Sequence, residues 1–207
     1  QTVLIWSVLA ALILVPLMIA GRSPYLQYRS AFYIIAGFAG ILCLGLFLMQ
    51  PLVAANYLPG LDRQTGRKWH RWIGGVIVAC LVLHIGGLFL TSRPDTIDAL
   101  LLRSPTPFSV FGVIALWGVV LTVLLVVLRR RWLRRFSYWY ALHNALASVV
   151  VISTVIHAVQ IEGTMGAVSK MVLCTAVLIA TAVAVFDLRI VRPRKRRKAP
   201  PRVAEPH

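Results

Sequence analysis

The stretch HRWIGGVIVACLVLH, from His70 to His84, decides the fold of this chain together with HNALASVVVISTVIH, from His143 to His157. In each, an apolar run is bracketed by histidines fourteen positions apart. At about 100° per residue, fourteen steps fall only ~40° short of four full turns, so both imidazoles share one helix face. With a rise of ~1.5 Å per residue they lie about 21 Å apart along the axis. Two such helices side by side would present two stacked histidine pairs.

The surrounding composition says where such helices belong. Of 207 residues, 59% are hydrophobic and 14% charged, with a mean hydropathy of +0.80. A soluble globular domain is far more polar, so the chain reads as a polytopic membrane protein. Its net charge of +16 sits in connections and in the tail, where it sets orientation and meets anionic lipid headgroups. No nucleic-acid partner is expected, because no basic face lies on a soluble module. Cys43, Cys80 and Cys174 fall in apolar segments without a CxxC pair. They read as small buried hydrophobes, outside any disulfide framework or zinc site. The chain opens on Gln1, so its natural start is expected to be missing or processed.

Runs of about 20 apolar residues mark six spans. They are expected at Thr2 to Ala20, Ala31 to Ala55, Trp69 to Leu90, Phe108 to Leu128, Tyr138 to Ile161, and Met171 to Leu188. Pro24, Pro59-Gly60, Arg93-Pro94-Asp95, Pro105 and Pro107 punctuate the connections. The second-to-third connection carries Arg63, Arg67 and Lys68, with Arg71 at the helix mouth, against Asp62. The fourth-to-fifth carries Arg129, Arg130, Arg131, Arg134 and Arg135 with no acid, and the tail is basic again. The other connections are poorer in positive charge, so both termini are expected in the cytoplasm. The fold class is all-α, a six-transmembrane-helix bundle. Residues 1–190 form the helical domain and 191–207 a basic, Pro-rich cytoplasmic tail. No internal repeat is evident beyond the two histidine helices.

One crossing separates the third span from the fifth, so they run parallel and bring like ends together. His70 then faces His143 near the cytoplasm, and His84 faces His157 nearer the far side. Each pair can supply both axial nitrogens of a haem iron, leaving no vacant position for oxygen or peroxide. That arrangement suits electron transfer. Zinc and copper want three or four converging ligands, and no Asp, Glu or Cys is placed to complete either pair. The six acids lie in loops, the tail or a helix end, so no buried carboxylate relay is present. A transporter or scaffold whose histidines merely bond neighbouring helices is the reading from another class. Arg71 is placed to pair with haem propionates or to anchor the interface. Gly74-Gly75 and Gly86-Gly87 suit either close approach of a macrocycle or helix packing. Trp69, Trp72, Trp139 and Tyr140 read as an aromatic belt.

His70-Arg71-Trp72-Ile73-Gly74 with His84, Trp139-Tyr140-Ala141-Leu142-His143-Asn144, and Val155-Ile156-His157-Ala158 resemble the ferric reductase-like transmembrane domain. That superfamily includes the membrane cores of ferric reductases and NADPH oxidases, and the haem-binding membrane subunit that serves periplasmic methionine sulfoxide reductase. The resemblance implies two haems b in a six-helix cytochrome b of an inner (plasma) membrane, bacterial in type. His70 and His143 would hold one iron, and His84 and His157 the other. Electrons would pass from a cytoplasmic flavin, FAD or FMN, to an acceptor on the opposite face. The larger members continue into flavin and nicotinamide domains, whereas this chain ends at His207 without a phosphate-cradling glycine loop. The flavin is therefore expected on a partner flavoprotein or on a domain removed from this sequence. A periplasmic reductase is the alternative acceptor, and membrane lipids are the remaining partners.

Overall fold

A computed structural model describes residues 1–129 and 136–192. Arg130, Arg131, Arg134, Arg135 and the tail from Pro193 to His207 lie outside the described residues. Seven α-helices are present there and no strands: α1 (Thr2–Gly21), α2 (Ala31–Ala54), α3 (Arg63–Thr91), α4 (Arg93–Leu100), α5 (Pro107–Val127), α6 (Phe136–Gln160) and α7 (Ala167–Phe186). All but α4 are long and apolar enough to cross a membrane. Leu83, Trp117, Ile179 and Phe186 lie exposed on their helices. Against lipid such side chains carry no hydrophobic penalty.

Helix ends follow local chemistry. Ser30 accepts from the Tyr33 backbone N–H at 3.2 Å and starts α2. Asp62 accepts from Gln64 N–H at 3.0 Å and Thr65 N–H at 3.2 Å. The Thr65 side chain first, and then these backbone N–H groups, hold its carboxyl below the usual carboxylate range. This cap moves the start of α3 six residues ahead of the expected Trp69, lifting the basic Arg63–Lys68 turn into the helix. Arg93-Pro94-Asp95 was expected to be a loop and instead opens α4, because proline suits a first helical turn. Asn56 closes α2 in the left-handed region, φ 58°. Lys170 on α7 reaches back to the end of α6, bonding Val159 O at 3.3 Å and, just past the helix, Ile161 O at 2.6 Å.

The bundle is assembled from two antiparallel hairpins, α2–α3 and α5–α6, with α7 packed on both α2 and α6. Helix α1 lies outside, against α2 and α7. The core centres on α2, which packs against α1, α3 and α7, and Leu173, Cys174 and Val177 of α7 are fully buried in it. Contacts at the two ends fix the topology. At one end the Trp6 indole bonds Pro59 O at 3.3 Å, and the Tyr57 hydroxyl bonds Asp187 at 2.8 Å. Arg192 pairs with the same carboxylate at 2.8 Å and also reaches Ala55 O. At the other end Ser30 and Thr91 hydroxyls lie 3.4 Å apart. The start of α1, the α2–α3 connection and Arg192 thus share one end, the basic end of the bundle. Both α3 and α6 begin at it and run parallel.

Candidate functional site

Helices α3 and α6 carry the four histidines, and the structure brings them together as two pairs. The His70 and His143 rings have centroids 6.2 Å apart and planes at 72°. His84 and His157 have centroids 6.4 Å apart and planes at 85°. Two imidazoles bound to one metal at about 2 Å each put their centroids about 6.3 Å apart. The first pair lies toward the basic end and the second toward the opposite end. Among the described residues no group of three or more His, Cys, Asp or Glu could hold a metal ion. Within that set, each pair offers two ligands and no third.

What aims the rings is supplied by the preceding helix of each hairpin. His84 Nδ1–H donates to Ala36 O of α2 at 2.7 Å. His157 Nδ1–H donates to Phe108 O of α5 at 2.8 Å. Against a carbonyl the ring nitrogen can only donate, so Nδ1 carries the proton and Nε2 keeps its lone pair. Four residues beyond each acceptor stands a glycine. A Cβ on Gly40 would meet His84 Nδ1 at 2.9 Å, and one on Gly112 would meet the His157 ring at 2.9 Å. No side chain fits between helix and ring at either place.

The repeat that sequence reading confined to two helices therefore extends to two hairpins. It even reaches the other pair, since Gln50 lies fourteen residues after Ala36. His70 Nδ1 approaches Gln50 O at 3.4 Å, and the Gln50 amide donates to His70 O at 3.2 Å. Gln50 Oε1 is buried with no partner among the described residues. Sequence reading passed over Gln50, although a carboxamide inside an apolar span was the available signal.

His143 is held differently. Its Nδ1 is buried and finds no hydrogen-bond partner among the described residues. Its ring instead lies flat on the Trp139 indole, with centroids 5.2 Å apart and planes 8° from parallel. Trp139 donates to Leu125 O at 3.4 Å and is covered by the Arg129 guanidinium, 4.5 Å from its ring. Trp139 was expected in an interfacial belt and is turned onto a histidine. Trp69 and Trp72 stay exposed and contact each other edge to face.

Arg71 is exposed and forms no ion pair among the described residues. Gly74 and Gly87 face α2, where a Cβ would meet the Gln50 amide at 3.2 Å and Phe32 O at 2.7 Å. Gly75 and Gly86 open onto free space. Cys43 and Cys80 are buried free thiols, and Cys43 Sγ lies 4.0 Å from Ile77 O across the α2–α3 contact.

No protein of curated function and no solved structure matches the chain. A family model, ferric reductase like transmembrane component, matches residues 36–154. The matched region opens on Ala36, which anchors His84, and contains three of the four histidines; His157 follows three residues beyond it. With more than half its length matched and six apolar helices in place, this integral membrane protein belongs to the ferric reductase like transmembrane component family.

Proposed function

We propose that the chain conducts electrons across a membrane through two bis-histidine haem sites, one at His70 and His143 and one at His84 and His157. The observation that carries this reading is the pair of ring separations, 6.2 and 6.4 Å, repeated at two levels of one parallel helix pair. Each histidine pair would hold a haem b, which would supply reversible one-electron chemistry there. The chain's own residues prepare the sites. Ala36 and Phe108 carbonyls fix the tautomer and aim of His84 and His157, and their hydrogen bonds raise ligand basicity. Gly40 and Gly112 let the rings lie against the neighbouring helix. The apolar helices hold water away.

In this reading the basic end faces the cytoplasm, as the positive-inside rule favours, and the membrane is of the bacterial inner (plasma) type. Exposed Arg63, Arg67, Lys68 and Arg71 then surround the His70 level. They complement an acidic flavoprotein or linked flavin domain bearing FAD or FMN. Electrons received there leave from the His84–His157 level to an acceptor on the opposite face.

The test is a reduced-minus-oxidised spectrum of purified, haem-supplied protein, with the haem-to-chain ratio. Two haems per chain are expected. His84→Ala or His157→Ala should remove one and spare the other, with circular dichroism as the folding control. A folded wild-type chain with no haem absorbance would overturn the proposal.

A further inference from the structure

We infer that Trp139 is the positioning residue of His143, holding by ring stacking the imidazole that no backbone carbonyl among the described residues holds, and that it makes the two histidine pairs electronically unequal. The inference rests on the proposed haem sites. Three of the four imidazoles have Nδ1 directed at a main-chain carbonyl, at 2.7 Å for His84, 2.8 Å for His157 and 3.4 Å for His70. The fourth, His143, has a buried Nδ1 without an acceptor among the described residues. It is also the one lying flat on an indole, 8° from parallel. The two observations are complementary. A ring without a hydrogen-bonded anchor would rotate about its side-chain bonds, and the Trp139 face removes that freedom. The indole is fixed in turn by its bond to Leu125 O and by the Arg129 guanidinium over its ring.

The electronic consequence follows from ligand basicity. Donation of Nδ1–H to a carbonyl pushes electron density toward Nε2 and favours the oxidised metal. Among the described residues the His84–His157 pair has two short bonds of this kind, whereas the His70–His143 pair has one long bond and one imidazole with none. Charge acts in the same direction, because Arg71 adjoins His70 and Arg129 caps Trp139. Cationic surroundings favour the reduced metal. The His70–His143 site therefore takes the higher midpoint potential, and a single electron entering the protein rests at the basic end.

Trp139 is tested by its effect on one site alone. Purified, haem-loaded wild type, Trp139→Leu and Trp139→Phe are titrated spectroelectrochemically, and ferric low-spin signals are recorded by electron paramagnetic resonance. His157→Ala, which removes the other site, assigns the components. Wild type should show two midpoints, the higher surviving in His157→Ala. Trp139→Leu, which leaves His143 Nδ1 open to water, should lower that midpoint and shift or broaden its signal while the other component stays unchanged. Loss of that component alone carries the same meaning. Trp139→Phe keeps a stacking face without the Leu125 bond and should restore the wild-type signature. Coincident midpoints, a higher component that vanishes in His157→Ala, or Trp139→Leu spectra unchanged at both sites would overturn the inference. So would equal loss at both sites in the Leu and Phe variants, which would make the indole a brace of the fold only. A wild-type chain that binds no haem refutes the underlying reading instead.

Discussion

At the residue scale, the decisive atoms are two α-carbons that carry no side chain. Gly40 and Gly112 stand where a methyl group would lie 2.9 Å from a histidine ring, and the ring cannot retreat without losing its carbonyl partner. Gly112→Ala should therefore displace His157, with a packing cost of ~1–3 kcal/mol. Its expected signature is loss of the His84–His157 haem from the absorbance spectrum, with the other haem kept. Gly75→Ala, which meets nothing within 4 Å, should leave the spectrum unchanged. The histidines themselves were legible as residues, because polar rings are costly in apolar helices and these four recur at one spacing on two of them. Their supports were not. Ala36 and Phe108 act through main-chain oxygen, which no residue type advertises, and Gly40 and Gly112 look like ordinary membrane-helix glycines until a ring is seen against them. Trp139 was read by its level in the membrane, but its role depends on a side-chain direction that spacing does not give.

At the element scale, close approach of paired helices keeps each ring in reach of its carbonyl. In the α5–α6 hairpin Gly118 marks a close approach, where a Cβ would come 2.6 Å from Val150 Cγ2. Valine in a helix has one strongly preferred rotamer, so it does not swing aside. Gly118→Ala should lower the melting temperature in detergent, at a cost of ~1–3 kcal/mol. Combining it with Val150→Ala should recover most of that loss, a non-additivity that a double-mutant cycle measures directly. Additive losses would show that the two residues do not set the spacing. Helix identity was readable from hydropathy, whereas helix length depended on caps. Asp62 extends α3 by six residues before its apolar run begins, and Pro94 starts a helix where proline suggested a break.

At the scale of the whole molecule, six crossings place the start of α1 and Arg192 at one end, tied there by Trp6–Pro59 and Arg192–Asp187 contacts. The Tyr57 hydroxyl joins this cluster, and burial with its bond to Asp187 pushes its pKa up. Which end faces the cytoplasm is a matter of charge. With native Cys43, Cys80 and Cys174 buried, single cysteines at exposed Gln64 and Glu162 report it. A membrane-impermeant maleimide should label Gln64→Cys only in inside-out vesicles and Glu162→Cys only in right-side-out ones. The reverse pattern would invert the proposed direction of electron flow. Span number and parallel histidine helices followed from the sequence because each depends on counting apolar runs. The bridging place of α7 did not, because nothing in a uniformly apolar helix says which neighbours it will touch.

The hairpin construction has one more consequence. Because His84 is aimed by α2 and His157 by α5, each half of the protein is a jaw that sets its own teeth. Neither hairpin needs the other to choose a tautomer or a ring direction. Helix α7, packed on both hairpins, holds the two jaws together.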